Sequence, residues 1–220
     1  MKWRELIMRY ENDRNELIKI ALEMKANGLI KMSGGNVSKR VSDKEILATP
    51  TAMDYETMKP EDICVVDYEG NVVDGIRKPT SDLKAILYIF KHMPWVNVII
   101  HTHQPNATAV SLVCNQLPCV CTTMVDELHG PVNVAPFTIS SDEGMGISTV
   151  KYAGDSLAVI LKHHGVISYG KNSDQALCAA IYLEETAEVY LKALATGKKV
   201  EQLTEEEVAL EDAPRGNYGQ

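Results

Sequence analysis

Apolar residues recur at helical spacing in two long stretches of the chain. In KPTSDLKAILYIF they fall at i, i+3, i+4 and i+7 between Leu83 and Phe90, which predicts a helix over residues 81–93 with one buried face. In the second stretch an apolar stripe covers residues 176–194 at alternating spacings of four and three, and Ser173 is expected to cap this helix. Both helices are therefore predicted to pack against a core.

The remaining segments mix strands with shorter helices. ICVVD and NVVDG flank Tyr68-Glu69-Gly70 and predict a hairpin, and SLAVILKHHGVISYG contains two apolar runs separated by His163-His164-Gly165. Further strands are predicted over 45–48, 96–100 and 132–137, and further helices over 12–27, which Gly28 ends, and over 106–114. Because strands and helices do not alternate strictly and no repeat or linker divides the chain, we expect one sandwich-like α/β domain over residues 1–220.

Composition narrows the range of functions. The chain has 220 residues, of which 24% are charged, and a formal net charge of −8 at pH 7. This charge argues against a nucleic-acid or anionic-membrane surface, since both favour basic patches, but not against a small phosphorylated substrate held by backbone N–H groups. The spacing of the five cysteines is not that of a disulfide framework. Cys119 and Cys121 have no second pair of thiols with which to bind zinc. MKWRELIMRYEND has no signal-peptide region and no apolar run is long enough for a bilayer, so a cytoplasmic protein is expected.

Two histidines follow a predicted buried strand in the segment VIIHTHQP. If the strand continues, His101 and His103 project to the same face, because side chains in a strand alternate with a period of two. Two adjacent imidazoles are costly to bury unless a divalent metal uses them, whereas polar residues at a strand end can simply reach water. The segment by itself is compatible with both interpretations.

Other residues can complete a metal site. Asp82 stands near the start of the predicted 81–93 helix. An acidic residue at this end also stabilises a helix by interacting with its dipole, without binding any ligand. His163 and His164 separate two apolar runs, and at most one of them is expected to face the same way as the first histidine pair. Three histidines and one carboxylate suit a divalent ion such as Zn²⁺ and leave a coordination position for a substrate oxygen.

Three loops are rich in glycine and hydroxyl side chains. They are Ser33-Gly34-Gly35-Asn36, Thr49-Pro50-Thr51-Ala52 and Thr80-Ser81. Short side chains let backbone N–H groups approach an oxyanion, and hydroxyls add donors, so the three loops together predict a phosphate cradle built from neutral groups. Each loop taken singly is also compatible with an ordinary turn.

The chain resembles a known family through motifs that follow one another in order. The motifs are GGNVSKR, TPTAMDYETM, KPTSD, HTH, HHG and the terminal YGQ. They are similar to those of the class II sugar-phosphate aldolase and L-ribulose-5-phosphate 4-epimerase family, which includes adducin-like head domains. The resemblance implies a single-domain, three-layer α/β fold in which helices cover a central, mostly antiparallel β-sheet. It also implies a homotetramer with active sites at subunit interfaces, and a tail over about residues 198–220 that closes the active site.

The family pattern assigns roles to residues of this chain. A carboxylate and three histidines are expected to bind Zn²⁺, with Mn²⁺ or Co²⁺ as alternatives, and the ligands would be Asp82, His101, His103 and His164. The substrate and its phosphate would be bound by Gly35, Asn36, Thr49, Thr51, Ala52, Thr80 and Ser81. At position 52, alanine replaces the glycine of the family.

Two activities in the family share a retro-aldol step that breaks a C3–C4 bond. Two features favour epimerisation at C4 of L-ribulose 5-phosphate. Asp82 stands where the aldolases of the family carry glutamate, and Asp126 and Tyr218 match the acid–base pair of the epimerases. Thr49 in place of lysine favours an aldolase that cleaves L-fuculose 1-phosphate, or a related ketose 1-phosphate, to dihydroxyacetone phosphate and an aldehyde. We therefore predict an epimerase acting on a phosphorylated ketose, with the aldolase as the alternative and a non-catalytic, adducin-like module as a remote one.

Overall fold

The computed structural model describes residues 8–213, which contain nine strands and seven α-helices. The strands are β1 (Asn36–Arg40), β2 (Glu45–Ala48), β3 (Cys64–Asp67), β4 (Val72–Asp74), β5 (Val98–Thr102), β6 (Gln116–Leu117), β7 (Val132–Ala135), β8 (Ala158–Leu161) and β9 (Gly165–Gly170). The helices are α1 (Glu11–Ala26), α2 (Leu83–His92), α3 (Pro105–Val113), α4 (Thr122–Leu128), α5 (Glu143–Tyr152), α6 (Ser173–Leu194) and α7 (Glu205–Glu211). None of these helices combines the length and the apolar composition that a membrane crossing requires.

The strands form one sheet in the order β4-β3-β2-β1-β5-β9-β8-β7-β6. Every neighbouring pair is antiparallel except β7 with β8. The middle strand, β5, pairs with β1 on one side and with β9 on the other. It is buried along its whole length, which explains why its sequence is an apolar run rather than an alternating pattern.

Helices cover both faces of the sheet. On one face, α2 and α5 pack against side chains such as Ile99 of β5 and Ile167 of β9. On the other face, α1, α3, α4 and α6 cover the side chains of alternating residues, such as Ile100 and Val166. These three layers and the mostly antiparallel sheet confirm the predicted fold class.

The predicted helices and strands are largely present, with some corrections. Asn172, not Ser173, caps α6, because its side chain accepts a hydrogen bond from the Gln175 N–H at 2.9 Å. Strands β1 and β6 and helices α4, α5 and α7 have no counterpart among the predicted elements. The sequences of two of them explain why: β1 has a single apolar residue, Val37, and α5 contains two glycines, so tertiary packing rather than local pattern stabilises these two elements.

The described part of the C-terminal tail packs beside α4. The Leu203 N–H donates to the Cys119 carbonyl oxygen at 2.9 Å, and Val200 and Val208 contact the apolar cluster under α4 and α6. Closure of the active site by residues 198–220 stays a prediction, since residues 214–220 lie outside the described range. The single domain over residues 1–220 also stays a prediction.

Gly146 allows close packing of α5 on α2. A Cβ atom at this position would lie 2.5 Å from the Ala85 carbonyl oxygen, whereas a Cβ at Gly144 of the same helix would meet no atom within 4 Å. We predict that Gly146→Ala lowers the free energy of unfolding by about 1–3 kcal/mol, because the two helices must separate. The control Gly144→Ala should raise it by up to about 1 kcal/mol, since alanine reduces the entropy of the unfolded chain. Urea denaturation followed by circular dichroism measures both, and equal effects would contradict the close contact.

Candidate active site

The site is built around the end of β5. The antiparallel ladder places His101 opposite Asn36 of β1 and opposite Ile167 of β9, so these side chains share the sheet face that α2 and α5 cover. His101 is fully buried, and its Nδ1 lies 2.9 Å from the Val166 carbonyl oxygen. A carbonyl can only accept, so Nδ1 carries the proton and Nε2 presents a lone pair.

His103 follows the last residue of β5 and faces the same side as His101. The Nε2 atoms of the two rings are 3.1 Å apart. The prediction that both imidazoles project to one face is therefore confirmed, although His103 itself lies just beyond the strand. The alternative, in which both histidines simply reach water, does not describe His101, which is buried.

The third histidine is His164, in the turn that joins β8 to β9. Its ring centroid lies 4.8 Å from that of His101 and 5.2 Å from that of His103. The neighbouring His163 is exposed, with a left-handed φ of 63°, and its ring lies near Phe137 instead. The two apolar runs are thus two antiparallel strands, and only one histidine of the turn reaches the pair on β5.

The three rings suit a divalent cation. Ring nitrogens of His101, His103 and His164 all lie within 4.8 Å of one another. Burial lowers the pKa of each imidazole, and a neighbouring histidine lowers that of His101 and His164 further. All three rings are therefore neutral near pH 7, which is the form that binds a metal, and the Nδ1 hydrogen bond of His101 orients its free Nε2 as a ligand.

Asp82 lies next to this cluster. Its Oδ2 is 3.9 Å from His101 Nε2 and accepts a hydrogen bond from Asn36 Nδ2 at 2.8 Å, while its Oδ1 accepts one from Ser141 Oγ at 3.2 Å. Asp82 occupies the cap position of α2, but its side chain makes no capping hydrogen bond. The carboxylate is therefore directed towards the histidines rather than used as an ordinary helix cap, and it is available as a fourth ligand.

A cleft of about 240 Å³ connects the histidines to the predicted phosphate loops. Of the predicted substrate-binding residues, six line it: Gly35, Asn36, Thr51, Ala52, Thr80 and Ser81. Asp82, His103 and His164 line it as well, so the structure brings the two predicted sets together. Thr49 does not line the cleft. It is fully buried, and its Oγ1 accepts a hydrogen bond from the Val37 N–H at 3.2 Å, so it joins β1 to the loop that follows β2.

Two glycines allow the loops to approach β5. A Cβ at Gly35, where φ is +91°, would lie 2.4 Å from the His101 carbonyl oxygen, and one at Gly165 would lie 2.1 Å from that of Thr102. Any side chain at either position would displace the histidines. Ala52 also has a left-handed φ, of 54°, which costs an L-residue roughly 1–2 kcal/mol and accounts for the glycine of the family at this position.

Sequence reasoning missed two serines that line the cleft, namely Ser140 and Ser141. Ser33, which belongs to the first predicted loop, lines it as well. Ser141 lies directly before α5 with a left-handed φ of 65°, and its hydroxyl contacts Asp82. The only local signal is a helix-start pattern, SSDEG, and its use in the site depends on how α5 packs on α2.

Asp126, one member of the predicted acid–base pair, does not line the cleft of its own chain. Asp126 lies on α4 with its side chain exposed, on the helix layer opposite α2. Tyr218 lies outside the described residues. The roles of both residues stay predictions.

Comparison with known proteins decides the family. The sequence model of one protein family, the class II aldolase and adducin N-terminal domain, matches residues 15–191. The chain belongs to this family. It is 28% identical to a 5-deoxy-D-ribulose 1-phosphate aldolase of Bacillus thuringiensis over 87% of this chain and 90% of that one. It is 29% identical to an L-fuculose phosphate aldolase of Haemophilus influenzae over 93% of this chain and 94% of that one.

A solved structure agrees with these relatives. An L-fuculose 1-phosphate aldolase superposes with a TM-score of 0.87 at 27% identity, covering 93% of this chain and 96% of that one. The predicted family, and with it a metal-dependent enzyme of the class II aldolase type, is confirmed. The relatives carry aldolase names, so the comparisons support the aldolase alternative better than the predicted epimerase.

His163 and His164 provide a matched pair for testing the metal site. We predict that His164→Asn weakens Zn²⁺ binding by at least about 100-fold, because one of three imidazole ligands is lost. His163→Asn should leave the affinity unchanged, since asparagine tolerates the left-handed backbone at 163 and that ring lies outside the cluster. Zinc titration in competition with a chromophoric chelator measures both affinities. Equal losses in the two variants would contradict this ligand assignment.

Proposed function

We propose that this enzyme is an aldehyde-lyase that cleaves a ketose 1-phosphate to dihydroxyacetone phosphate and an aldehyde. The observation that carries the proposal is the cleft itself, in which a three-histidine cluster with a carboxylate beside it faces loops of neutral hydrogen-bond donors. A cleft of about 240 Å³ is smaller than the pockets that hold drug-sized ligands, so it suits a small sugar phosphate.

The phosphate end of the substrate is assigned to the glycine and hydroxyl loops. Thr51, Thr80 and Ser81 offer hydroxyl donors, and Gly35 lines the cleft beside them. Within residues 8–213, no lysine or arginine lines the cleft, so the phosphate charge would be balanced by oriented N–H and O–H dipoles.

The reacting end of the substrate is assigned to the histidine cluster. His101, His103, His164 and Asp82 would hold Zn²⁺, and Mn²⁺ or Co²⁺ also suit this set of ligands. When bound, such an ion supplies Lewis-acid stabilisation of the negative charge that develops on the ketose as its C3–C4 bond breaks. The buried Asn36 Oδ1 has no hydrogen-bond partner among the described residues, and a substrate hydroxyl would satisfy it.

Three observations favour the aldolase over the epimerase. The relatives are named as aldolases of deoxyribulose and fuculose phosphates. Thr49 stands where the epimerases carry lysine and is buried away from the cleft, so no cation contacts a 5-phosphate from this position. Asp126, whose presence favoured the epimerase, is exposed on the opposite helix layer of its own chain. In the homotetramer that we propose from the family, Asp126 and Tyr218 remain candidates for proton transfer.

The activity is tested with three substrates. The zinc-loaded protein is incubated separately with L-fuculose 1-phosphate, 5-deoxy-D-ribulose 1-phosphate and L-ribulose 5-phosphate, and the products are followed by ³¹P and ¹³C NMR. We expect dihydroxyacetone phosphate and an aldehyde from at least one of the two 1-phosphates, and no activity in His164→Asn. Formation of the C4 epimer of L-ribulose 5-phosphate, without aldehyde release from either 1-phosphate, would overturn the proposal.

Thr51 and Thr57 provide a matched pair for the phosphate cradle. Thr51 lines the cleft, whereas the exposed Thr57 donates its hydroxyl hydrogen bond to the Asp54 carbonyl oxygen. Thr51→Val should raise KM by about 10- to 100-fold, because hydrogen bonds to charged groups contribute about 1.5–3 kcal/mol, while kcat changes little. Thr57→Val should leave KM unchanged. Steady-state kinetics on the preferred substrate measures both, and a KM for Thr51→Val equal to that of the wild type would remove Thr51 from the cradle.

A further inference from the structure

The first turn of α3, directly after the histidine pair, is anchored by a carboxylate from α6. Glu184 Oε1 accepts hydrogen bonds from the N–H and from Nδ2 of Asn106, both at 2.9 Å, and Oε2 accepts one from the Ala107 N–H at 3.0 Å. The first N–H groups of a helix have no partner within the helix, and its dipole favours a negative charge at this end. Glu184 therefore fixes where α3 begins.

A second contact joins α6 to the same segment, one helical turn earlier. The fully buried Gln104 donates from Nε2 to the Ala180 carbonyl oxygen at 2.9 Å. Ala180 and Glu184 are four residues apart on α6, so two successive turns of this helix hold the residues that immediately follow His103. These contacts come from the helix layer on the other side of the sheet from Asp82.

The direction of the His103 ring depends on this backbone. Among the described residues, the ring has one contact of hydrogen-bond length, to His101 Nε2 at 3.1 Å. The ring is open to the cleft, so side-chain packing does not hold it on all sides. The backbone at His103 lies close to β9, since a Cβ atom at Gly165 would be 3.2 Å from the His103 Cα. The main chain at 103 therefore has little room to move towards β9.

We propose that Glu184 is a positioning residue for the metal site. By accepting three hydrogen bonds from the first turn of α3, its carboxylate sets the path of the chain after β5, and thereby the direction in which His103 presents its imidazole to the other two rings. Glu184 does not line the cleft, so its effect on the site would be exerted through the backbone that it holds. The inference rests on the metal-binding role that the proposed function gives to the histidines.

The test compares two glutamates of the same helix. Glu184→Gln leaves one acceptor oxygen where there were two, so at least one N–H of α3 loses its partner. Glu188→Gln is the matched control, because Glu188 lies one turn further along α6 and pairs at the surface with Lys192 at 2.7 Å. The metal-free proteins are titrated with Co²⁺, and the affinity and the visible spectrum of the bound ion are recorded. We expect Glu184→Gln to weaken Co²⁺ binding by about 10- to 100-fold and to alter the spectrum, while Glu188→Gln changes neither.

Further measurements separate positioning from general stability. The thermal midpoint of each metal-free variant is recorded, and Asn106→Ala, which removes only the side-chain hydrogen bond to Glu184, is titrated in the same way. It should show a smaller loss of affinity in the same direction, and it replaces Glu184→Gln if that variant does not fold. Unchanged affinity and spectrum in a folded Glu184→Gln or Asn106→Ala, with normal binding by the wild type, would overturn the positioning role alone. Failure of the wild type to bind Co²⁺ would overturn both this inference and the proposed metal-dependent function.

Discussion

The close approach of three backbone segments around the end of β5 is the constraint on which the site depends. Gly35 before β1 and Gly165 at the start of β9 both contact carbonyl oxygens of β5, at distances that leave no space for a Cβ atom. The same ladder places Asn36 and His101 side by side, and the turn before Gly165 delivers His164. The ligands therefore come from separate parts of the chain, and strand pairing rather than local sequence brings them within reach of one ion.

The two helix layers contribute different supports to the site. From one layer, α2 presents Asp82, and the close contact of α5 at Gly146 brings Ser141, just before α5, onto the Asp82 carboxylate. From the opposite layer, α6 holds the segment after His103 through Glu184. The sheet lies between these supports, so the geometry of the histidine cluster depends on packing on both of its faces.

The cleft has a cluster of neutral imidazoles at one end and loops of uncharged hydrogen-bond donors at the other. Desolvation lowers the pKa of all three imidazoles, and the loops opposite them offer hydroxyl and N–H donors but, among the residues described, no cationic side chain. A metal cation at one end and an oriented set of dipoles at the other would together attract a doubly charged sugar phosphate. This local arrangement explains how a protein with a net charge of −8 can bind an anion.

The family, the helices with strong periodicity and the common face of His101 and His103 could all be predicted from the amino-acid sequence, because they depend on local spacing and on the order of motifs. The family resemblance predicts His164 rather than His163 as the third histidine, and the tertiary structure gives the physical reason, since the left-handed backbone at His163 directs that ring away from the pair. Only the tertiary structure decided that Thr49 is buried, that Ser141 reaches Asp82, and that the exposed Asp126 lies outside the cleft of its own chain. These outcomes depend on contacts between residues far apart in sequence, and neither periodicity nor residue type encodes such contacts.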